Sequence, residues 1–307
     1  MRIGYFADGS WSHLAFDKIF CDKRFQIAFV VPRYHSPDEV LKKKALDSKI
    51  DWLHLHNVNA PDAQEKLKQY NADIFVSMSF DQIFRSNFLN IPSYGVINCH
   101  AGALPFYRGR NVLNWVLIND SSSFGVTVHY VDEGIDTGDI ILQEHCPIQD
   151  SDDYGTLLKK ASLACANLLY QSLVMIHDGT ATRTRQSDID PIGFYCGKRV
   201  KGDEWINWEW SSRRIFNFVR GITYPGPCAC TALNGHKLLV NTTSLIKDAI
   251  DYIGTPGEVV GRTGDDICVK TGDSTILVIG VNKNRAKNNK IKIGHRFQSK
   301  LEYHGYK

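Results

Sequence analysis

The sequence predicts an α/β fold in which a Rossmann-like, mostly parallel sheet is followed by a smaller β-barrel domain. In the first 150 residues, short β-rich runs alternate with segments of helical period, as expected where helices connect parallel strands. After about residue 182 this alternation lapses, and β-rich runs separated by turn signals follow. At 307 residues the chain is also near the size at which one hydrophobic core gives way to two.

The first domain is predicted to span residues 1–185. Its predicted strands are 2–7, 26–32, 51–56, 73–80 and 95–100, and its predicted helices are 13–20, 37–46, 62–70 and 111–118. A hairpin-like pair, 126–131 and 139–144, then encloses a loop rich in aspartate and glycine at 132–138. A long helix is predicted at 154–176, where the helical period is sustained.

A polar linker is predicted at residues 186–203, where Pro191 and Gly193 interrupt regular structure. The second domain then covers 204–307, with a short helix at 213–219 and strands at 229–233, 237–241, 267–270 and 275–281. The turn signals Asn234-Gly235 and Gly272-Asp273 separate these strands, which is typical of a small barrel.

Composition excludes several classes of protein. With 43% hydrophobic and 22% charged residues, the chain is not a disordered, collagenous or coiled-coil protein. No apolar stretch reaches the roughly 18 residues of a membrane span, and the residues after Met1 do not resemble a secretory signal, so a cytoplasmic location is expected. The eight cysteines lack the paired spacing of a zinc site, which predicts buried free thiols and no bound metal.

Charge is unevenly distributed along the chain. The net charge of +3 gives no reason by itself to expect a nucleic-acid or membrane partner, but residues 191–307 carry +8 and residues 1–190 carry −5. A run without acidic residues near the C-terminus contains seven basic ones: Lys283, Arg285, Lys287, Lys290, Lys292, Arg296 and Lys300. Such a run can contact phosphates, although a solvated face is its commoner role.

The most unusual stretch is residues 98–105. Asn98 and His100 are two apart in a predicted strand, so their side chains share a face at its carboxyl end, where open α/β sheets bind ligands. An amide donor and a titratable base could there act on one atom, the alternative being a hydrogen-bonded polar pair. Asp136 in the hairpin loop would orient the imidazole and favour its protonated form if it lies nearby. Taken alone, however, its surroundings favour a turn aspartate.

Two further groups are candidate substrate contacts. Gly9, Ser10 and Trp11 follow the first strand and open the first helix, where backbone N–H groups favour an anion, but the glycine spacing of a dinucleotide or phosphate loop is missing. A plain turn and helix cap is therefore the alternative. Tyr107 and Arg108 lie just beyond the histidine loop, where Arg108 can bind phosphate through two hydrogen bonds or form a structural ion pair.

Together these residues resemble the signature of the folate-dependent formyltransferases. The resemblance rests on Asn98-x-His100, Leu104-Pro105, Tyr107-Arg108-Gly109 and Asp136 within Asp-Glu-Gly-Ile-Asp-Thr-Gly. It extends to residues 213–225 and 254–258, which are similar to the OB-like barrel of methionyl-tRNA formyltransferases and of the formyltransferase module of the lipid A-modifying aminoarabinose enzyme. It implies an Asn98–His100–Asp136 triad, N10-formyltetrahydrofolate as co-substrate and an amine as acceptor.

The resemblance also implies where the reduced folate binds. The matching segments would supply mainly backbone contacts and an apolar wall, and they comprise Phe80, Gln82, Ile83 and Phe84 together with Asp132, Glu133, Gly134 and Ile135.

Two acceptor classes remain open within this family. Methionyl-tRNA formyltransferases usually carry a glycine- and lysine-rich insertion soon after the second strand, and residues 32–40 here lack it. Residues 76–84 and 107–115 resemble enzymes that formylate amino sugars on nucleotides. The favoured prediction is therefore a nucleotide-linked 4-amino or 3-amino deoxysugar for surface polysaccharides, bound by Gly9, Ser10, Trp11, Tyr107 and Arg108. Methionyl-tRNA is the runner-up, a non-catalytic folate or nucleotide sensor is the third hypothesis, and a homodimer is compatible with all three.

Overall fold

A computed structural model describes residues 1–281 and 291–299. In chain order its elements are β1 (Arg2–Ala7), α1 (Ser10–Phe20), β2 (Gln26–Val31), α2 (Glu39–Asp47), β3 (Asp51–Trp52), α3 (Pro61–Lys68), β4 (Ile74–Met78), α4 (Ser86–Leu89), β5 (Val96–His100), β6 (Arg108–Gly109), α5 (Val112–Ile118), β7 (Ser123–Tyr130), β8 (Ile140–Pro147), α6 (Tyr154–His177), α7 (Gln186–Ile189), β9 (Tyr195–Cys196), α8 (Ser212–Ile222), β10 (Ala229–Leu233), β11 (His236–Leu245), β12 (Val259–Thr263), β13 (Asp266–Lys270) and β14 (Thr275–Val281).

The chain forms two compact units. The first comprises Met1–Val112, Ser123–Pro147 and Lys159–Cys196, and the second comprises Leu113–Ser122, Ile148–Leu158 and the described residues from Gly197 onward. Two short pieces of the predicted first domain therefore belong to the second unit. The continuous boundaries expected at residues 186–203 stay a prediction.

The first unit is built on a seven-stranded sheet with the order β3-β2-β1-β4-β5-β7-β8. Strands β1 to β5 pair in parallel, whereas β7 and β8 are antiparallel additions at one side. All five residues of β4 are buried, as expected for a central strand covered on both faces. The direction of the strand order changes at β1, and ligands of open α/β sheets bind at the carboxyl ends beside such a point.

Phenylalanine rings fill one side of this sheet. Phe6 lies 5.0 Å from Phe75 and 5.2 Å from Phe88, measured between ring centroids, and Phe29 packs against the same group. Gly4 makes room for these rings because a Cβ atom there would lie 2.6 Å from Phe75. A glycine inside a strand is unfavourable by itself, so here it reflects close packing rather than a turn.

The second unit contains a five-stranded antiparallel sheet with the order β10-β11-β14-β13-β12. Helix α8 begins at Ser212, with the Ser211 side chain accepting the backbone N–H of Arg214, and packs its apolar face into the core around Trp208. The segment that includes Arg296 and Gln298 bridges both sheet edges, since Gln298 pairs with Ala232 and Arg296 with Glu258. This closure agrees with the predicted barrel, while its OB-like character stays a prediction.

The predicted fold class is confirmed, with local differences. The strand expected at 51–56 ends at Trp52, because β3 is an edge strand that pairs with β2 at only two positions. Strand β12 was not predicted, and its register with β13 shifts between Val259 and Gly261. All eight cysteines are free, as predicted, but only Cys99, Cys165, Cys228 and Cys230 are buried. Cys146, Cys196 and Cys268 are partly exposed, and Cys21 is exposed because it lies at the end of α1.

The described residues include only part of the basic run near the C-terminus. Of the seven basic residues near the C-terminus, Lys292 and Arg296 are described, and Lys283, Arg285, Lys287, Lys290 and Lys300 lie outside the described residues. Within 1–281 and 291–299, no helix has both the length and the apolar character needed to cross a bilayer. The same residues contain no histidine, cysteine and carboxylate cluster arranged to hold a metal ion.

Candidate active site

Strand β5 places Asn98 and His100 at the carboxyl edge of the sheet. Ile97 and Cys99 point into the core, whereas Asn98 and His100 are partly exposed on the opposite face. This alternation follows from the two-residue period of a strand. The loop between β7 and β8 brings Asp136 to the same edge, and its Oδ2 lies 3.6 Å from Nδ1 of His100. The three side chains predicted as catalytic are thus gathered around one point.

The orientation of the His100 ring is set by the loop that follows it. Nε2 of His100 lies 2.8 Å from the backbone carbonyl of Tyr107, which can only accept, so Nε2 donates. Tyr107 adopts a left-handed conformation with φ of 56°, and this aims its carbonyl at the ring. Since Nε2 is occupied, Nδ1 is the nitrogen that faces Asp136 and is left for reacting groups.

His129 is a fourth member of the site that the sequence did not reveal. It lies opposite Asn98 in the β5–β7 register, and its side chain is 2% exposed. Its Nε2 lies 3.2 Å from Nδ2 of Asn98 and 3.6 Å from Oδ1 of Asp136. Nδ1 donates to the Tyr130 carbonyl at 2.8 Å, so Nε2 is the nitrogen that faces both the Asn98 amide and the Asp136 carboxylate. The pairing of β5 with β7 is the signal that finds this residue.

Asp136 is held as a carboxylate. Its Oδ2 accepts the backbone N–H of Gly109 at 2.9 Å, and both imidazoles lie beside it. Burial raises the pKa of Asp136, but His100, His129 and the Gly109 N–H outweigh burial and hold this pKa well below its ordinary value. The group therefore carries a negative charge at any pH at which an amine acceptor is reactive.

Arg108 has a different role from the predicted phosphate contact. It is buried, and its Nε and Nη2 donate to Oε1 of Gln186 at 3.0 and 2.7 Å. The amide nitrogen of Gln186 in turn donates to the backbone carbonyls of Asp136 and Gly138 at 2.9 and 2.8 Å. Arg108 and Gln186 therefore brace the loop that carries Asp136, which corrects the expectation for Arg108. Gln186 was missed because it falls in the segment predicted as a linker.

Comparison with known proteins identifies the family. The family model for formyl transferase matches residues 23–173, and the model for the formyl transferase C-terminal domain matches residues 198–295. A methionyl-tRNA formyltransferase from Geobacter metallireducens is 33% identical over 229 residues, which cover 75% of this chain and 71% of that protein. The chain belongs to the formyltransferase family. The family predicted from the sequence is thereby confirmed.

Solved structures share the fold of this formyltransferase. WlaRD, a sugar 3N-formyl transferase crystallised with dTDP and 5-N-formyl-THF, superposes with a TM-score of 0.71 at 20% identity, covering 92% of this chain and 98% of WlaRD. The N-formyltransferase from Helicobacter canadensis, in complex with folinic acid and dTDP-3-aminofucose, gives a TM-score of 0.70 at 20% identity, covering 90% and 97%. At this identity the likeness concerns the fold.

The first segment expected to bind folate divides into structural and exposed parts in this formyltransferase. Phe84 belongs to the aromatic core, stacked on Phe88 with centroids 4.6 Å apart. Gln82 braces a loop, because its Oε1 accepts the Val58 N–H at 2.9 Å. Phe80 is partly exposed, and Ile83 is 65% exposed. Ile83 is therefore the member of this segment that most openly offers an apolar surface.

The second expected folate segment is a turn shaped by its own side chains. Oδ1 of Asp132 accepts the N–H of Gly134 at 3.0 Å and the hydroxyl of Thr137 at 2.6 Å. The Ser86 hydroxyl donates to the carboxylate of Glu133. Ile135 is exposed, as Ile83 is, so both segments carry an exposed isoleucine where the family resemblance implies an apolar wall.

The remaining predicted substrate contacts lie at two loops of the formyltransferase. Gly9 is the N-cap of α1 with φ of 73°, and Ser10 beside it is exposed. Trp11 is partly buried. The ring of Tyr107 packs edge-on against Phe194, with centroids 4.8 Å apart. The substrate roles of these residues stay proposals, and in the structure the Tyr107 carbonyl contacts His100.

Gly102 is expected to be essential for the geometry of the histidine. A Cβ atom at this position would lie 2.6 Å from both Nε2 of His100 and the carbonyl oxygen of Tyr107. Gly102→Ala should therefore displace the ring and lower kcat by about 10- to 100-fold, since a misplacement of about 1 Å can have such an effect. Steady-state kinetics would measure this. Gly197→Ala is the matched control, because its Cβ would meet nothing within 4 Å. A Gly102→Ala enzyme with unchanged kcat would contradict this explanation.

Proposed function

We propose that this formyltransferase moves the formyl group of N10-formyltetrahydrofolate to the amine of a deoxysugar linked to a nucleotide. The observation that carries the chemistry is the approach of Nδ1 of His100 to the Asp136 carboxylate at 3.6 Å, beside Asn98, at the carboxyl edge of the sheet. A hydrogen-bond donor, a titratable ring and a fixed charge in one place are what aminolysis of a formyl group requires.

The reaction follows from the atoms at this site. The neutral amine attacks the formyl carbon, a new C–N bond forms, and negative charge builds on the formyl oxygen. The Asn98 amide and an N–H at Nδ1 of His100 stabilise this oxygen by hydrogen bonding. The bond to N10 of the folate then breaks, and the proton lost by the amine is transferred to the departing nitrogen through His100, directly or through water.

Asp136 and its neighbours keep this machinery in one arrangement. The carboxylate balances the charge of a protonated His100, and the Gly109 N–H and Gln186 amide fix its loop. His129 holds the Asn98 amide through Nε2. Donors that are fixed before the reaction need no reorganisation when charge develops, which is why such positioning increases the rate.

The choice of a sugar acceptor is supported by the connection between β2 and α2. It contains only residues 32–38, a length close to that of ordinary connections in α/β units. Oδ2 of Asp8 accepts the backbone N–H groups of Arg33 and Asp38 at 3.2 and 3.1 Å, which ties both ends of the connection to β1. The insertion that tRNA enzymes carry here has no counterpart in this short, fixed connection.

Known proteins support both acceptor classes to different degrees. The two structural neighbours described above were solved with dTDP or a dTDP-linked amino sugar, which supports a sugar nucleotide. The relative from Geobacter metallireducens is named a methionyl-tRNA formyltransferase, and this favours tRNA as the second candidate. The charge of +8 on residues 191–307 is also compatible with tRNA.

A direct competition between acceptors tests the proposed function. Purified enzyme with N10-formyltetrahydrofolate would be given dTDP-, UDP- and GDP-linked 3-amino and 4-amino deoxysugars, and separately initiator methionyl-tRNA. We expect kcat/KM for at least one sugar nucleotide to exceed that for the tRNA by about 100-fold or more, a difference of roughly 3 kcal/mol. Efficient formylation of the tRNA, weakening steeply with added salt, would instead establish the second candidate. Folate binding without turnover of any amine would indicate a sensor.

A further inference from the structure

A cluster of exposed aromatic rings surrounds Tyr34, outside the catalytic centre. The His54 ring stacks on Tyr34 with centroids 4.6 Å apart and planes 16° apart. His56 and His35 meet the same ring edge-on at 4.8 and 5.2 Å. All three histidines are exposed and Tyr34 is partly exposed. Flat, heteroaromatic side chains that remain open to solvent are suited to stacking with a planar ligand.

The cluster is held in place before any ligand binds. Nε2 of His54 donates to the Tyr34 carbonyl at 2.8 Å, which joins the residues after β3 to those after β2. Arg33, next to Tyr34, donates from Nε to the carbonyl and from Nη2 to the hydroxyl of Ser79, each at 2.8 Å. The Asp8 carboxylate anchors Arg33 from the other side. Such preorganisation reduces the conformational entropy lost on binding.

The position of the cluster along the sheet matches the shape of a sugar nucleotide. His100 ends β5, Gly9 follows β1, and Tyr34 follows β2, all at the carboxyl edge in the strand order β2-β1-β4-β5. Adjacent strands lie about 4.8 Å apart, so the ends of β5 and β2 are about 14 Å apart. With covalent bonds of about 1.5 Å, an extended sugar, diphosphate and ribose separate an amine from a nucleobase by a distance on the order of 15 Å.

We propose that Tyr34 and His54 form the subsite for the nucleobase of the acceptor. The inference rests on the proposed function, because it assumes an amine at His100 that belongs to a sugar nucleotide. In this arrangement the diphosphate passes the start of α1 at Gly9, and the base stacks on the exposed Tyr34–His54 pair. The ring nitrogens of His35 and His56 then face the edge of the base, where they contribute to the choice of nucleotide.

Tyr34→Ala tests the subsite by the kinetics of two matched acceptors. One is the sugar nucleotide that the wild type formylates best, and the other is the 1-phosphate of the same amino sugar, which has no base. We expect KM for the sugar nucleotide to rise about 10- to 100-fold, as loss of base stacking on an aromatic side chain typically causes. KM for the sugar phosphate and for the folate should stay within about 2-fold of wild type, and Tyr34→Phe should restore KM for the nucleotide.

Controls separate this binding role from a structural one. Tyr94→Ala removes an exposed tyrosine at the amino end of β5 and should leave all three KM values unchanged. A Tyr34→Ala enzyme whose KM for the sugar nucleotide equals that of wild type would overturn the subsite. Equal losses toward both acceptors and the folate, with a lower Tm, would also overturn it, because the cluster would then be a surface brace.

Nucleotide affinity, measured without turnover, tests the subsite independently of the proposed function. Calorimetry with dTDP, UDP and GDP should give a measurable Kd for at least one in the wild type, weakened about 10-fold or more in Tyr34→Ala. Should the wild type formylate no sugar nucleotide, the proposed function fails, and this comparison alone decides the subsite. Equal nucleotide affinity in both proteins, or binding of no nucleotide by the wild type, would then reject it.

Discussion

Replacing His100 by alanine is expected to lower kcat for formyl transfer by about 100- to 10,000-fold. The substitution removes both a hydrogen-bond donor to the formyl oxygen and the group that transfers the amine proton. Removing either one alone typically lowers the rate by about 100-fold or more. His129 is an unsuitable substitute, since it is almost fully buried and engaged by Asn98. The measurement is the steady-state rate of tetrahydrofolate release with a saturating amine acceptor.

The control for this experiment is another histidine of the same chain. His236 is exposed at the first residue of β11, in the second unit, and His236→Ala should retain the wild-type rate. Thermal unfolding of both variants shows whether the fold is intact. A folded His100→Ala enzyme with kcat within a few-fold of wild type would mean that this imidazole has no part in catalysis.

Asp136→Asn is expected to have an effect comparable to that of His100→Ala, with kcat reduced by up to about 10,000-fold. Neutralising the carboxylate that orients a catalytic histidine can cause a loss of this size. The amide can still accept the Gly109 N–H, but it removes the charge that faces His100. Because the pKa of Asp136 lies well below its ordinary value, the carboxylate of the wild type is charged from pH 5 to 9. Ionisation of Asp136 itself should therefore add no step to the pH dependence of the wild-type rate over that range.

The same substitution has a predicted effect on stability in acid. A carboxyl group with a lowered pKa in the folded state stabilises the protein above the ordinary carboxyl pKa, and this contribution is lost as the pH falls toward the folded value. Urea unfolding should show a shallower acid loss in Asp136→Asn than in wild type below about pH 4. An identical pH dependence in both proteins would show that the charge at Asp136 does not contribute to folding stability.

The site residues that the sequence predicted are those whose positions depend on local backbone geometry. The two-residue period of a strand was enough to place Asn98 and His100 on one face at the end of β5. Asp136 was a candidate partner from its loop alone, but only the family resemblance favoured that role over a turn aspartate, because a loop aspartate carries no local sign of its partner. Nothing in the spacing of residues reveals that the β7 hairpin returns antiparallel to β5, and this pairing is what brings His129 beside Asn98.

The predicted phosphate contact of Arg108 also depended on a tertiary contact that the sequence does not reveal. An arginine in a loop next to a catalytic histidine is a reasonable phosphate ligand when its environment is unknown. Its burial comes from a strand pair, β6 with β9, that joins Arg108 to Tyr195, far along the chain. Contacts of this kind depend on the tertiary fold, so composition and periodicity do not report them. Most helices and inner strands, by contrast, were found within a few residues because their period repeats locally.

The most direct test of this account is a double-mutant cycle between His100 and Asp136. The central claim is that these two side chains act as one unit during formyl transfer. Residues that act as a unit have strongly non-additive effects, so the double variant should be about as slow as His100→Ala alone. If the losses in kcat of the two single variants instead multiply in the double variant, the carboxylate works independently of the imidazole and the claim is wrong.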